Sequence, residues 1–341
     1  MSHQRDRIER GWQLLEAGDL PGAEAALRRA QRGDPDDADV LCLAGAIASA
    51  RGEIDAALDL LARAADADPE DPHPLLQAGE LELYSRGDAV AAIALAGRAL
   101  ELTEEDEERA DVLLLRAEAE LQLADEKQAL AAAAATVALI EELTIADPVL
   151  LTRTAQMYLD LDRWDDAEHS FLAAIEEDPS QADAHHGLGL VYERRGDREA
   201  MVRAWADTRR LDELAPPPPW HLSVDEFEQV AEEAMGELPP EVLSRLENVP
   251  ILIDDLPAAH LIEEGYDPRL LGLFSGVPLP GKSHVTNQVA VIDAVHLYQK
   301  NLERESADRE QLIEEIRITV LHETAHFFGL EDDDLEHLGL G

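Results

Sequence analysis

The sequence is short of cysteine, of aromatic residues and of positive charge, and each shortage restricts what the protein can be. Its 341 residues include one cysteine, Cys42, so no intrachain disulfide can form. Aromatic residues make up only 4%, while alanine is abundant, as in closely packed helices. The 28 basic residues face 74 acidic ones, which gives a formal net charge of −46. This charge disfavours nucleic acid and anionic membranes as partners and favours basic ones.

Long apolar stretches are missing as well. No apolar run reaches the ~18 residues that a membrane-spanning helix requires. The tract Ala129–Ala135 is short and is followed by Glu141 and Glu142. The first residues, MSHQRDRIERGWQLL, are charged and lack the apolar segment of a signal peptide. We therefore expect a cytoplasmic protein.

What the sequence does contain, over its first two thirds, is a 34-residue repeat. Gly18 and Gly52 lie 34 positions apart (52 − 18), and Pro35 and Pro69 keep the same spacing (69 − 35). Each unit reads as two helices joined by a turn of the Gly-Asp type, and it often closes on Asp-Pro, which ends a helix before the proline. The turns are Gly18–Asp19, Gly52–Glu53, Gly87–Asp88 and Gly196–Asp197.

The repeat resembles the tetratricopeptide repeat (TPR) family. Six units are placed at about 4–37, 38–71, 72–106, 107–147, 148–181 and 182–215, and the third carries one extra residue before Gly87. The resemblance implies an α-solenoid over residues 1–215 with a groove that binds a protein or peptide. A pure spacer or an oligomerisation surface is the alternative. The carboxylate clamp of some family members is not expected, because the corresponding positions hold Ile8, Cys42, Leu76 and His186.

Four consecutive prolines, Pro216–Pro219, end the repeats and predict a stiff, extended linker over residues 216–222. The remaining domain, 223–341, mixes helical and strand patterns. The predicted elements are a helix Val224–Met235 capped by Ser223, a second helix from Pro239, a strand at Val249–Asp254, an apolar strand or turn at Leu270–Gly276, a strand within Gln288–Gln299, a charged turn Glu303–Asp308 and a long helix after it.

The long helix leads into His322, Glu323 and His326, which form the pattern H-E-x-x-H. Histidines four positions apart lie on one face of a helix, so both imidazoles can reach one metal ion. Zinc suits this pair, because it accepts neutral imidazole nitrogen without strong geometric demands. The Glu323 carboxylate is placed to accept a proton from a metal-bound water as that water attacks a carbonyl. The alternative is a surface helix end with two incidental histidines.

A third ligand is expected shortly after the helix. Gly329 can end the helix sharply, and Asp332 follows three residues later; His337 is the main competitor for the ligand role. Three protein ligands leave the fourth position open, as in catalytic zinc sites. The spacing H-E-x-x-H-x-x-G-x-x-D matches metzincin peptidases, with aspartate in place of the third histidine. No methionine follows Asp332, so the ligands need support from elsewhere than a methionine turn.

The layout of this domain resembles the minimal zincin-like metallopeptidase family. The resemblance rests on Glu237–Glu241, on Leu270–Gly276 and on the motif. It implies His322, His326 and Asp332 as zinc ligands and Glu323 as the general base. Overall, the sequence predicts a mostly α protein in which a TPR α-solenoid precedes a small α+β zincin-like domain.

The function predicted from these features is that of a cytoplasmic zinc metallopeptidase whose repeats recruit a substrate or partner. The alternative is a non-catalytic TPR scaffold with a vestigial or structural metal site. For the peptidase, the strand Asp293–Gln299 is the candidate sheet edge for pairing with an extended peptide. His296 and Tyr298 would lie on one face of this strand and could reach the cleft, although an ordinary exposed position is at least as consistent with the pattern.

Overall fold

The protein folds into two compact units, Met1–Val191 and Tyr192–Gly341. The structure, a computed structural model, describes residues 2–236, 238, 246, 249–276 and 293–328. The fold class expected from the sequence is confirmed: a series of helices is followed by a small region that contains a β-sheet. Among the described residues, no helix is long and apolar enough to cross a membrane.

Twelve helices form six consecutive pairs over residues 2–214. They are α1 Ser2–Glu16, α2 Leu20–Ala30, α3 Ala38–Ala50, α4 Ile54–Ala67, α5 His73–Glu80 with a π-helical turn Leu81–Ser85, α6 Ala89–Leu100, α7 Asp106–Leu121, α8 Glu126–Ile140, α9 Pro148–Asp160, α10 Trp164–Glu177, α11 Ala182–Arg195 and α12 Arg198–Leu214. Small buried alanines, such as Ala23, Ala57 and Ala92, let neighbouring helices approach closely.

Each Gly-Asp turn combines a left-handed backbone conformation at the glycine with a side-chain cap from the aspartate. The glycines adopt a left-handed conformation, with φ of 72° at Gly18 and 74° at Gly52, which a residue without a Cβ reaches at little cost. The following aspartate then caps the second helix, as Asp19 does by accepting a hydrogen bond from the Gly22 N–H at 2.9 Å. In the fifth unit Asp162 takes the glycine's place with φ 58°, a conformation that aspartate tolerates better than most residues.

The extra residue of the third unit is absorbed by the π-helical turn Leu81–Ser85. A π-helix has one more residue per hydrogen-bonded turn than an α-helix, so a single insertion can be accommodated without breaking the helix. The turn exposes the Tyr84 side chain, whose residue surface is 60% accessible. After this turn the chain leaves the helix at Gly87, which has the same left-handed conformation as the other turn glycines, with φ 66°.

The second unit contains α12 together with the remaining elements. These are α13 Val224–Gly236, β1 Ile251–Asp254, α14 Ala259–Glu264, β2 Gly272–Ser275, β3 Ala294–Tyr298, α15 Gln299–Glu305 and α16 Arg309–Phe327. The helix predicted after Ser223 is confirmed, and Ser223 and Glu226 bond reciprocally at its start. The prediction of a charged turn over Glu303–Asp308 is wrong for its first residues, because Gln299–Glu305 is helical. The helix predicted from Pro239 lies outside the described residues.

The three strands that the structure describes form one sheet in the order β1–β3–β2, with β1 parallel and β2 antiparallel to β3. The prediction that Asp293–Gln299 provides an open sheet edge is therefore wrong. Val295, for example, pairs with Ile251 on one side and with Phe274 on the other. A central strand has its backbone groups engaged on both sides and cannot add a substrate strand.

Buried salt bridges fix α12 against the elements that follow the prolines. The Asp212 carboxylate is 2% exposed; it accepts a bond from Arg269 Nε at 3.2 Å and pairs with Arg304. Lys300 Nζ also donates to the carbonyl oxygens of Glu213, at 2.7 Å, and Ala215, at 3.2 Å, at the end of α12. The second compact unit thus begins upstream of the prolines, while the linker at 216–222 and the domains 1–215 and 223–341 remain predictions.

The turn glycines give a direct test of the backbone argument. Gly52→Ala should lower the free energy of unfolding by about 1 kcal/mol, because alanine is strained at φ 74° although nothing lies within 4 Å of its Cβ position. Gly97→Ala, a matched control within α6 with equally open space, should raise it by about 0.5–1 kcal/mol. Urea unfolding followed by circular dichroism measures both. Equal effects of the two substitutions would contradict this account.

Candidate metal centre

The buried residues of helix α16 fix its orientation about its own axis. Asp308 caps its start by accepting a bond from the Gln311 N–H at 2.9 Å. Leu312, Ile316 and Val320 recur every four residues and are completely buried. They share a core cluster with Val295 and Leu297 of β3, which places α16 against one face of the sheet. The H-E-x-x-H motif occupies the last turns of this helix.

The two motif histidines contact each other through their Nε2 atoms, at hydrogen-bond distance. Their Nε2 atoms lie 3.0 Å apart, and their ring centroids are 4.8 Å apart at an interplanar angle of 77°. Two nitrogen ligands of a tetrahedral zinc ion lie about 3.3 Å apart, given Zn–N distances of ~2.0–2.1 Å. Both rings are partly exposed. The Nε2–Nε2 separation is close to this value, and the prediction that His322 and His326 bind one zinc ion stays a prediction.

Glu323 lies between them in sequence but faces β2. It is 7% exposed, and its Oε2 atom accepts a hydrogen bond from the Phe274 N–H at 2.6 Å. The direction of that N–H follows from the strand pairing. Tyr298 N–H donates to the Leu271 carbonyl oxygen, and hydrogen-bonded pairs alternate along an antiparallel ladder. Phe274 therefore directs its N–H away from β3, to the outer edge of β2.

A glycine makes this close contact between helix and strand possible. A Cβ at Gly272 would lie 2.8 Å from Cγ of Glu323 and 2.8 Å from Cγ2 of Thr319, both shorter than real contacts allow. The Phe274 ring also packs edge-on against Phe327, with centroids 5.8 Å apart. β2 thus supports the motif helix from the side. Sequence reasoning noted the glycines of this segment but did not identify Gly272 and Phe274 as the support.

The third ligand remains a prediction. Asp332, its competitor His337 and the helix-ending Gly329 all lie outside the described residues. Within the part of the chain that the structure describes, no group of three histidine, cysteine or acidic side chains could hold a metal ion. Two imidazoles alone make an incomplete zinc site, so a zinc ion bound here would need a further ligand.

His296 and Tyr298 share one face of β3 as predicted, with rings stacked 6.5 Å apart, but that face is turned away from α16. Tyr298 is only 1% exposed, so it is not an ordinary exposed strand residue, and the expectation that the two side chains reach a cleft stays a prediction. His296 links the three strands: its Nδ1 lies 3.2 Å from Asp254 Oδ2, and its Nε2 lies 3.2 Å from Ser275 Oγ. Burial, and then the negative charges of Asp254 and Glu323, raise the pKa of Tyr298 to about 12, so its phenol stays neutral.

Comparison with protein families agrees with both halves of this description. A tetratricopeptide repeat family model matches residues 8–72 and 152–208, and a zincin-like metallopeptidase model matches residues 246–341. The chain thus carries tetratricopeptide repeats in its N-terminal region, followed by a zincin-like metallopeptidase domain.

Solved structures resemble the chain in fold. PilW, a widely conserved type IV pilus biogenesis factor, is 13% identical, covers 63% of this chain and 96% of its own, and has a TM-score of 0.50. The protein pilF of Pseudomonas aeruginosa is 18% identical, with coverages of 62% and 93% and a TM-score of 0.49. At such identities the likeness to PilW shows the helical-repeat fold alone. No curated protein matches the chain.

The contact at Gly272 can be tested locally by hydrogen exchange. Gly272→Ala should push β2 away from α16, and amide protection in 272–275 and 309–327 should fall about tenfold or more. Gly236→Ala is the control, because nothing lies within 4 Å of its Cβ position. Protection that is unchanged in Gly272→Ala would show that the strand does not support the motif helix.

Proposed function

We propose that this protein is a zinc-dependent metallopeptidase of the cytoplasm, whose repeats recruit its substrate or a partner protein. The observation that carries the proposal is the arrangement at the end of α16. Two imidazole nitrogens on one helix face lie 3.0 Å apart, and the carboxylate between them in sequence is buried against a strand edge.

The proposed ligands are His322 and His326, with Asp332 as the third. Two neutral imidazoles and one carboxylate are a donor set that zinc accepts, and three protein ligands leave one position open. A bound zinc ion would supply Lewis acidity to a scissile carbonyl and would make a water molecule at the open position more acidic. The chain's own groups must then orient the substrate and move the proton.

Glu323 is the proposed general base. It takes a proton from the attacking water and delivers it to the nitrogen of the leaving amine. The Phe274 N–H fixes one carboxylate oxygen, Oε2, and so orients the side chain. Burial of the carboxylate strengthens its interaction with a proton donor, because the surroundings screen charge less than water does.

The outer edge of β2 is the proposed binding strand for the substrate. Among the described residues, β2 pairs only with β3, so its other edge has no strand partner. Gly272 and Phe274 belong to the same set of outward-directed residues in the ladder, and because the Phe274 N–H is donated to Glu323, a peptide would pair with the other outward backbone groups of β2. A peptide that adds to this edge through its backbone would pass beside Glu323, which the central strand β3 does not allow.

The catalytic role is tested with Glu323→Gln, which keeps the size of the side chain and removes its basicity. Hydrolysis of unstructured casein, followed by mass spectrometry of the new peptides, should fall by about a hundredfold or more, because general-base catalysis contributes roughly 10²–10⁴-fold. Zinc content should stay the same. Glu314→Gln, an exposed glutamate on the same helix, is the matched control and should keep full activity.

Two results would count against the peptidase. Undiminished hydrolysis in Glu323→Gln would exclude this residue as the base. Zinc-loaded wild type that cleaves neither casein nor other unfolded proteins would favour the non-catalytic scaffold with a structural metal.

A further inference from the structure

The first helices of units three to five line a cavity of about 340 Å³. Its apolar part comes from Leu76 of α5, Val112 of α7 and Leu150 of α9, together with Val149, which is 52% exposed. Four carboxylates surround this apolar part: Glu107, Glu108, Asp111 and Asp147. A second cavity of about 250 Å³ lies along α1, α3 and α5 and is lined by Trp12, Gly45, Glu80 and Leu81, among others.

Among the described residues beside these cavities, the carboxylates of Asp111, Glu118 and Glu80 lie near the guanidinium group of Arg153. Arg153 pairs with Asp111 and bonds to Glu118 through Nη2 at 3.1 Å, so this group of three keeps one net negative charge. Glu80 adds another. Its burial, with the nearby Asp111 and Glu118, raises its pKa to about 6, although Arg153 acts in the opposite direction. This group of side chains therefore carries excess negative charge and suits a positively charged ligand.

An aromatic ring stands beside these carboxylates. The π-helical turn exposes Tyr84, and its hydroxyl donates to the Glu118 carboxylate. π-helical turns inside α-helices recur at functional sites. A ring face next to carboxylates is the combination that holds a guanidinium or ammonium group, by cation–π attraction and by ion pairing.

We propose that this surface, formed by Leu76, Glu80, Tyr84, Val112, Glu118 and Val149, binds a basic peptide segment. An arginine or lysine of the segment would lie against Glu80, Glu118 and the Tyr84 ring, and an aliphatic side chain would enter the cavity at Leu76 and Val112. The proposal rests on the proposed recruiting function of the repeats and names the chemistry of the recruited partner. Charge complementarity selects this partner, because an acidic segment would face an excess of carboxylates.

The test uses the full-length chain with Glu323→Gln, so that bound peptide is not consumed. The probe is a fluorescein-labelled dodecapeptide of alternating leucine and arginine. A matched peptide carries uncharged citrulline at every arginine position. In fluorescence anisotropy the arginine peptide should bind one per chain and about tenfold more tightly than the citrulline peptide, a difference of about 1.4 kcal/mol.

Two protein variants locate the binding site. Glu80→Gln should weaken binding of the arginine peptide about fivefold to tenfold. Glu177→Gln removes the same charge from an exposed position on α10, a second helix, and should leave the affinity within about twofold. Circular dichroism of both variants checks that the helices are intact. The affinity for the arginine peptide should also fall between pH 7.5 and pH 5.5, because Glu80 becomes protonated over this range. In Glu80→Gln this fall should be smaller.

The outcomes separate this inference from the proposed function. Equal weakening by Glu80→Gln and Glu177→Gln would mean diffuse attraction to an acidic chain and would overturn the site. Equal binding of the two peptides would overturn the basic specificity but leave the repeats as a peptide-binding array. Loss of peptidase activity has no bearing on either result, because the binding protein lacks the base by design.

Discussion

The candidate site depends on one hydrogen bond, from the Phe274 N–H of β2 to the Glu323 carboxylate of α16. It exists because the antiparallel ladder turns this N–H away from β3 and because Gly272 lets the helix approach the strand. The bond fixes a buried carboxylate at a strand edge.

The helix alone makes part of the site predictable from sequence. The positions of His322 and His326 follow from the helical period, which a local pattern contains. The support for Glu323 does not, because it depends on which strand lies beside the helix. Strand order arises from pairing between distant segments, so the mostly apolar sequence of β3 is compatible with an edge position and with a central one. The structure shows that it is the centre, and this moves the proposed substrate edge to β2.

The repeats were more predictable, because their signals are local and recur. Gly18 ends the first helix in a left-handed backbone conformation, and Asp19 caps the second helix. Later units repeat this arrangement. The extra residue before Gly87 was visible in the sequence, but its consequence was not. Only the structure shows that the insertion becomes a π-helical turn that exposes Tyr84 beside Glu118.

The central claim, that His322 and His326 hold one metal ion, is tested most directly by elemental analysis of the purified chain after loading with zinc and removal of the excess. The account predicts near one zinc per chain for the wild type, with loss in His322→Ala and in His326→Ala. His296→Ala, a histidine on the opposite sheet face, should retain the metal. A loaded wild-type chain without zinc, or equal zinc in all four proteins, would contradict the claim.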